Sequence, residues 1–133
     1  LVKLAKDYVG ADESGRLSDS DLRTRVIMNE IDGRAFQLTA MRAMVESKAN
    51  SGPSAATSIM KNAGTRWMQD RAELTIELMG HQGLGWEGDD FTAEELGAVR
   101  SWLGGKATTI YGGSQEVQNN IISKRILGLP DPK

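Results

Sequence analysis

The most distinctive chemistry lies between Ile110 and Gln118, where the sequence reads Ile-Tyr-Gly-Gly-Ser-Gln-Glu-Val-Gln. Gly112 and Gly113 carry no Cβ, so their backbone can take unusual dihedrals or approach a ligand closely. Ser114 is a suitable N-cap for a following helix. Glu116 would lie in the first turn of that helix, where a negative charge suits the helix dipole. A glycine pair that leads into a capped helix is a natural seat for an anionic group.

The helix after this turn is predicted to end at Gly128. Apolar residues recur at helical spacing along it, at Val117, Ile121, Ile122 and Ile126. Gly128 can supply the left-handed residue that ends a helix, and Pro130 prevents continuation.

The string from Ile110 to Pro130 closely resembles the C-terminal signature of acyl-CoA dehydrogenases. That signature is commonly written Tyr-(Glu or Gly)-Gly-Thr-Ser-Glu-Ile-Gln, followed by an Arg-Ile-Leu-Gly-Leu-Pro-like end, and this chain ends Arg-Ile-Leu-Gly-Leu-Pro. The resemblance implies an FAD-dependent oxidoreductase of fatty acid or lipid metabolism that converts an acyl-CoA substrate to a trans-2-enoyl-CoA. It also implies that FAD contacts Ser114, Gln115 and Glu116, and that the substrate contacts Gly113.

A second stretch, Glu77-Leu-Met-Gly-His81, aligns with the family's other cofactor motif, a glutamine followed by Leu-Gly-Gly. The resemblance gives Gly80 a role in binding the flavin of a neighbouring subunit. Glu77 departs from the motif, and its carboxylate would repel a pyrophosphate unless it faced away. His81 replaces the second glycine and is expected to be an exposed loop residue. Arg16 has the wrong context to replace the arginine of the family's Arg-x-x-Phe-Gly loop.

Position 112 offers no catalytic base. Many members of the resembled family place there a glutamate that abstracts the α-proton of the thioester, and glycine has no proton-accepting side chain. Some relatives carry the glutamate on an earlier helix, which would precede Leu1. Others are assembled from two kinds of chain, of which one bears it. No catalytic residue is therefore assigned, and the isolated chain is predicted to be inactive.

The composition excludes several classes of function. The chain has 133 residues, 39% of them apolar and 26% charged, with a formal net charge of −2; this size suffices for one domain with a buried core. The acidic balance argues against nucleic-acid binding, and no apolar stretch is long enough for membrane insertion. With no cysteine and one histidine, no metal site is expected. These features fit a cytoplasmic protein.

The opening sequence Leu-Val-Lys-Leu-Ala-Lys lacks a methionine and already follows a helical pattern. Its apolar face consists of Leu1, Leu4, Ala5 and Tyr8. We therefore expect residues 1–133 to be a single helical domain that forms the C-terminal fragment of a longer chain. A polar loop at 10–15 and capping candidates at 18–21 follow.

Two long helices are predicted next, on either side of a turn at 50–53, and they form a helical hairpin. The first ends near Asn50, and its apolar stripe consists of Ile27, Ile31, Ala35, Leu38, Met41 and Val45. Gly33 interrupts this stripe, either as a point of close packing or as a tolerated weak spot. The second runs from Ser54 to Met79, with Pro53 in its first turn. Its apolar side consists of Met60, Ala63, Trp67, Leu74 and Leu78.

A further helix is predicted after the acidic segment 86–90. Thr92 and Glu95 have the spacing of a capping box, and an apolar stripe follows at Leu96, Val99, Leu103, Ala107 and Ile110. No alternating strand pattern competes. The elements together predict an all-α, antiparallel (up-and-down) four-helix-bundle-like fold, which matches the C-terminal helical domain of the resembled family.

Other side chains have simpler interpretations. Trp67 lies on a core stripe and is expected to pack, whereas a partner or ligand contact is plausible for Trp86. The charged residues Arg66, Asp70, Arg71 and Glu73 are interpreted as a solvated helix face.

We therefore expect this chain to be the C-terminal domain of an FAD-dependent acyl-CoA dehydrogenase, contributing part of the flavin site and of the oligomer interface. The resemblance and a flank left bare by missing helices predict self-association as a dimer or tetramer, or assembly with a related second subunit. The alternative is a non-catalytic assembly subunit or a helical interaction domain derived from this fold. Gly112, Glu77 and the missing arginine favour that alternative.

Overall fold

The computed structural model describes residues 1–49 and 56–130. The described residues form helices and no strand, apart from one isolated antiparallel bridge between Ala11 and Leu17. The all-α, four-helix-bundle-like fold class is confirmed. The helices are α1 (Val2–Val9), α2 (Ser20–Ala49), α3 (Ala56–Met79), α4 (Ala93–Gly105) and α5 (Gln115–Ile121), with 3₁₀ turns at Gly80–Leu84 and Lys106–Thr109 and a π-helical turn at Ile122–Ile126. The predicted turn at 50–53 and helix start at Ser54 lie outside the described residues.

The chain divides into two compact units. Unit 1 comprises Leu1–Asp32 and Trp67–Lys106, and unit 2 comprises Gly33–Arg66 and Ala107–Lys133. The long helices α2 and α3 each contribute one section to each unit, because their bounds span the division.

The core of unit 1 forms where α1 meets α2 and α3. Its buried residues are Ala5, Leu17, Val26, Leu74 and Leu78, with Leu1, Leu4, Val9 and Leu22 packed against them. Burying a side chain of the size of valine or leucine stabilises a fold by about 1.5–3 kcal/mol. The predicted apolar face of α1 is thus confirmed at three positions. Tyr8, the fourth, is partly exposed and instead donates a hydrogen bond to Glu95 Oε1 over 2.7 Å.

Polar contacts join α2 to α3 within unit 1. The Trp67 indole N–H donates to the Asn29 carbonyl over 3.0 Å. Arg71 donates to Asn29 Oδ1 over 3.0 Å and to Glu30 Oε1 over 2.9 Å. Because Arg25 pairs with Glu77 and Glu30 with Arg71, the two helices run antiparallel here.

The interpretation of the charged α3 residues as a solvated face is wrong for Arg71, whereas Glu73 is exposed as predicted and also forms an ion pair. Arg71 reaches α2, as described, and its guanidinium lies 5.8 Å from the centre of the Trp67 ring. Glu73 accepts a hydrogen bond from Lys106 over 3.1 Å. Both charges contact another element, and a pattern along one helix does not reveal such partners.

Helix starts follow the predicted chemistry closely. Asp19 caps α2, accepting from the backbone N–H groups of Asp21 and Leu22, each over 2.9 Å. Thr92 and Glu95 form both bonds of the predicted capping box at the start of α4. In the loop before α2, the carboxylate of Asp12 accepts three hydrogen bonds from nearby residues.

Unit 2 contains a close helix approach at Gly64, where an added Cβ would lie 2.7 Å from the ring of Phe36. Gly33, for which the sequence allowed either close packing or a tolerated weak spot, is buried. A side chain at position 64 would therefore force the ring or the helix to move.

Two predicted apolar stripes are less buried than expected. Along α2, every large member of the predicted stripe is more than half exposed: Ile27, Ile31, Leu38, Met41 and Val45. The stripe predicted after Thr92 does not lie on one α-helix, because the backbone changes to a 3₁₀ turn at Lys106. Of its members, Val99 is buried, whereas Leu103 and Ile110 are exposed.

The last helix also differs from the prediction of one regular α-helix. It continues beyond Ile121 as a π-helical turn, closed by a 3.0 Å hydrogen bond from the Leu127 N–H to the Ile122 carbonyl. It ends as predicted at Gly128, whose φ of 65° lies in the left-handed region.

Candidate functional site

The Gly112–Gly113 turn has the backbone conformation that the sequence suggested. Its φ angles are 69° and 98°, a region that L side chains enter at a cost. A Cβ added to Gly113 would lie 2.5 Å from the Nε2 atom of Gln118. A side chain at 113 would therefore need both an unfavourable dihedral and a displaced Gln118 amide.

Gln118 holds this turn from within α5. Its side chain is only 8% exposed, and its amide donates to the Gly112 carbonyl over 3.2 Å. A buried side-chain amide that bonds the backbone of a turn in this way helps to fix the turn's conformation. No role was predicted for Gln118 from the sequence, although it is the last residue of the signature string.

The N-terminal half of α3 anchors both sides of the same turn. The Lys61 amine donates to the Thr108 carbonyl over 2.7 Å, and the Asn62 amide donates to Asn119 Oδ1 over 2.8 Å. The Cε atom of Lys61 lies 3.6 Å from the position of a Cβ on Gly112. Neither contact is visible from sequence, since Lys61 and Thr108 are 47 positions apart.

The predicted FAD-contacting residues begin α5, with one correction. Ser114 is the N-cap residue, but its side chain makes no capping hydrogen bond. Its hydroxyl instead donates to the carboxylate of Glu116, and this bond is the first cause of a lowered pKa for Glu116, followed by the residue's own backbone N–H. A carboxylate two positions away is a stronger acceptor for the hydroxyl than a backbone group. Gln115 and Glu116 are exposed.

Gly80, the remaining predicted cofactor residue, lies in unit 1 and ends α3. Its φ is 57°, its surface is exposed, and no atom lies within 4 Å of the position of a Cβ. The backbone at Gly80 is therefore open to an approaching group. His81 is exposed as predicted, with its ring centre 6.4 Å from that of Phe91.

The carboxylate of Glu77 is paired with a cation. Arg25 donates to both of its oxygens, to Oε1 over 2.6 Å. These bonds lower the pKa of Glu77, against a smaller opposing effect of desolvation. The repulsive charge expected at this departure from the family motif is thus compensated within unit 1.

Two glycines beyond Gly80 have closer contacts than Gly80 itself. A Cβ on Gly83 would lie 2.5 Å from the Ile76 carbonyl oxygen, and one on Gly85 would lie 2.5 Å from the Phe91 ring. No role was predicted for Gly83 or Gly85 from the sequence. The glycine spacing was a signal, but the contacted atoms depend on how the 3₁₀ turn folds back.

Each tryptophan carries a cation over its ring. Arg71, Arg100 and Lys106 lie 5.8, 5.4 and 5.2 Å from the ring centres of their respective partners, which are Trp67, Trp86 and Trp102. Trp67 is half-buried and hydrogen-bonded, which confirms its packing role. Trp86 is exposed, and its carbonyl accepts from Arg100 over 2.9 Å.

The structure thus gathers Gly112, Gly113 and Ser114 with Lys61 and Gln118 in unit 2, while Gly80 belongs to unit 1. Arg16 is exposed, and its backbone N–H donates to the Asp12 carboxylate over 2.9 Å. Among residues 1–49 and 56–130, no group of three or more metal-binding side chains is placed to hold an ion. Over the same residues, no helix has the length and apolarity needed to cross a membrane.

Comparison with known proteins identifies relatives along nearly the whole chain. The family model described as "Acyl-CoA dehydrogenase, C-terminal domain" matches residues 2–127. Acyl-CoA dehydrogenase IpdE1 of Mycolicibacterium smegmatis is 31% identical over 98% of this chain and 29% of its own length. The protein of the same name from Mycobacterium tuberculosis is 32% identical over 98% of this chain and 31% of its own length. This chain therefore spans about a third of those relatives.

A solved structure has the same fold. One chain in the crystal structure of the ChsE4-ChsE5 complex from Mycobacterium tuberculosis superposes with a TM-score of 0.77 at 21% identity, over 98% of this chain and 35% of that chain.

Proposed function

This chain belongs to the acyl-CoA dehydrogenase family as its C-terminal helical domain, and from that premise we propose that the longer protein carrying it is an FAD-dependent acyl-CoA dehydrogenase. Such an enzyme removes the α-proton and the β-hydrogen of an acyl-CoA thioester to give a trans-2-enoyl-CoA. FAD supplies the hydride acceptor in this chemistry. The observation that carries the proposal is the left-handed Gly112–Gly113 turn, which lies inside the range that matches the family.

The proposed FAD contacts are Ser114, Gln115, Glu116 and Gly80, with Gly113 at the acyl-CoA substrate. The side chains of Gln115 and Glu116 are exposed, and the backbone of Gly80 has open space in front of it. These groups offer hydrogen-bond donors and acceptors of the kind that a flavin's polar edges require. The pairing of Glu77 with Arg25 supports the same role for this region, because it removes an uncompensated negative charge.

The α-proton must be taken by a carboxylate outside position 112. Gly112 has no side chain, so we propose that the base lies on another segment of the longer protein or on a related second subunit. A protein with this fold occurs in the ChsE4-ChsE5 complex, which joins two differently named proteins, and this supports the second arrangement.

Self-association or association with a related subunit is proposed through α2. In unit 1 this helix exposes Ile27, Met28 and Ile31, and in unit 2 it exposes Leu38, Met41, Met44 and Val45. Large exposed apolar side chains in such numbers are typical of an interface. We propose a dimer or tetramer that acts in the cytoplasm.

The test is flavin content and turnover of the purified full-length protein. Flavin absorbance and acyl-CoA-dependent dye reduction are expected, whereas residues 1–133 alone should be silent because no residue among them is assigned as the base. Gln115→Ala should weaken FAD binding, and Asn120→Ala, also exposed and on α5, should not. Bound flavin without the Gln115 effect would refute the assigned contact.

The alternative function is a non-catalytic assembly subunit or helical interaction domain. Its supporting observations are the missing base at Gly112 and the exposed apolar side chains of α2. Absence of both flavin and turnover, together with formation of a stable complex, would favour this alternative over the dehydrogenase.

A further inference from the structure

The side chain of Lys61 occupies the space in front of Gly112. Its amine donates to the Thr108 carbonyl over 2.7 Å, and its Cε lies 3.6 Å from where a Cβ on Gly112 would stand. Lys61 is half-buried, and Thr108 is only 8% exposed. The lysine is therefore held in place by the backbone that leads into the turn.

This position brings a positive charge to the point where many members of the family carry a carboxylate. An ammonium has three donors, and the contact with Thr108 uses one of them. The Nζ atom lies one bond beyond Cε, and a glutamate carboxyl carbon lies two bonds beyond Cβ. With Cε and the Cβ position 3.6 Å apart, a carboxylate at position 112 falls within ion-pair reach of Lys61.

We propose that Lys61 is a positioning residue for the Gly112 turn, and that its ammonium would hold a carboxylate at position 112 as an ion pair instead of leaving it free to accept a proton. An opposite charge at this range favours the ionised carboxylate, which makes it a weaker base. The chain is then unsuited to a base at 112 for two reasons, the missing side chain and the neighbouring cation. The consequence for turnover rests on the proposed function, but the ion pair does not.

The ion pair is tested by amide hydrogen exchange of residues 106–113 in the full-length protein at pH 7, because exchange protection reports local opening. The variants are Gly112→Glu, Lys61→Met and their combination. We expect the combination to open about two- to fivefold more than the two single changes predict together, the size of a partly exposed ion pair. Additive effects would overturn the ion pair.

Two controls separate charge from packing. Gly112→Gln has nearly the same shape as Gly112→Glu without the charge, so its coupling to Lys61→Met should be clearly smaller than that of Gly112→Glu. Lys48→Met removes an exposed lysine of the same unit and should show no coupling to Gly112→Glu. Equal coupling for the Gln and Glu variants would also overturn the proposal.

The positioning role is tested by amide hydrogen exchange in protein that keeps glycine at position 112. Lys61→Met should increase exchange of residues 106–113. Lys61→Arg should leave these residues protected, because it keeps a cationic donor for the Thr108 carbonyl. An unchanged exchange rate in Lys61→Met would refute the positioning role.

Turnover provides a separate arm. If the proposed function holds with a base-less site, Gly112→Glu combined with Lys61→Met should be more active than Gly112→Glu alone. The acid limb of its pH–activity profile should also lie at higher pH. Coupling in exchange without any turnover would leave Lys61's role intact and count against the dehydrogenase. Turnover without coupling would support the dehydrogenase and count against the ion pair of Lys61.

Discussion

The guanidinium of Arg25 on α2 donates to both carboxylate oxygens of Glu77 on α3, with a separation of 2.6 Å at Oε1. The contact lowers the pKa of Glu77 and raises that of Arg25. The side chains are 43% and 46% exposed, so solvent screens the pair and its contribution to stability is about 1 kcal/mol at most. Its larger effect is that the charge of Glu77, three positions before Gly80, is neutralised by Arg25.

Removing the cation should therefore affect cofactor binding more than stability. We expect Arg25→Met to weaken FAD binding to the full-length apoprotein, because it leaves the Glu77 carboxylate uncompensated. Adding Glu77→Gln should restore binding, since the neutral amide needs no cation. Flavin titration measures both, with Arg16→Met as the control for loss of an exposed arginine. Equal losses in the single and double variants would argue against a role for charge.

Three glycine substitutions should form a graded series of destabilisation. Gly15→Ala and Gly112→Ala introduce a side chain at a φ of 74° and 69°, without a contact shorter than 3.6 Å. Each should cost about 1–2 kcal/mol from backbone strain. Gly113→Ala should cost more, because its Cβ also meets the buried amide of Gln118 at 2.5 Å. Unfolding midpoints of the full-length variants test the order, and a Gly113→Ala protein as stable as Gly112→Ala would contradict it.

The bond between Tyr8 and Glu95 predicts a stability that depends on pH at both ends. Hydrogen bonds from the Thr92 backbone and then from Tyr8 lower the pKa of Glu95 below its ordinary 4.5, and the bond to Glu95 raises that of Tyr8 above 10.0. The stabilisation from Glu95 is complete above pH 4.5 and is lost as pH falls through its lowered folded pKa. That from Tyr8 is complete below pH 10.0 and is lost as pH rises through its raised folded pKa.

Tyr8→Phe separates the two ends of this profile. It should abolish the alkaline loss that belongs to Tyr8 and move the acid loss to higher pH, because Glu95 keeps only the Thr92 bonds. Helical circular dichroism of the full-length protein during heating, repeated across pH, gives the measurement. An unchanged profile in Tyr8→Phe would mean that this bond does not form in solution.

The exposed apolar side chains of α2 should be sensitive to charge if they form an interface. Met41→Lys and Val45→Lys should each raise the dissociation constant of the assembly about tenfold or more, since burying such a side chain is worth about 1.5–3 kcal/mol. Gln37→Lys adds the same charge at an exposed polar position of α2 and should have little effect. Light scattering over a concentration series distinguishes these outcomes, and assemblies unchanged by both apolar substitutions would place the interface elsewhere.

The parts of the structure that depend on neighbouring residues in sequence were predictable. The capping box of Thr92 and Glu95, the left-handed Gly112 and Gly113, and the end of the last helix at Gly128 all follow from local chemistry. Ser114 shows the limit of such reasoning, because its N-cap position was predicted but its hydroxyl bonds Glu116 instead of the backbone.

Contacts across the fold could not be predicted in the same way. Lys61 reaches Thr108, and Arg25 reaches Glu77, only because separate helices pack together. The spacing of apolar residues in α2 predicts which of them share one side of the helix, but it does not say what covers that side. Gly83 was missed because its obstacle is the carbonyl of Ile76, which approaches only in the folded 3₁₀ turn.

The π-helical turn at Ile122–Ile126 bears on how this chain tolerates changes in length. A π turn is an α turn with one additional residue, closed here by the bond from Leu127 to Ile122. Deleting Ser123 would convert it to an ordinary α turn and leave Leu127 and Gly128 on the same side of the axis. A deletion within α5 would instead rotate them by about 100°, the advance per residue of an α-helix. The π-helical turn is thus the point where one residue can be deleted without rotating the end of the helix about its axis.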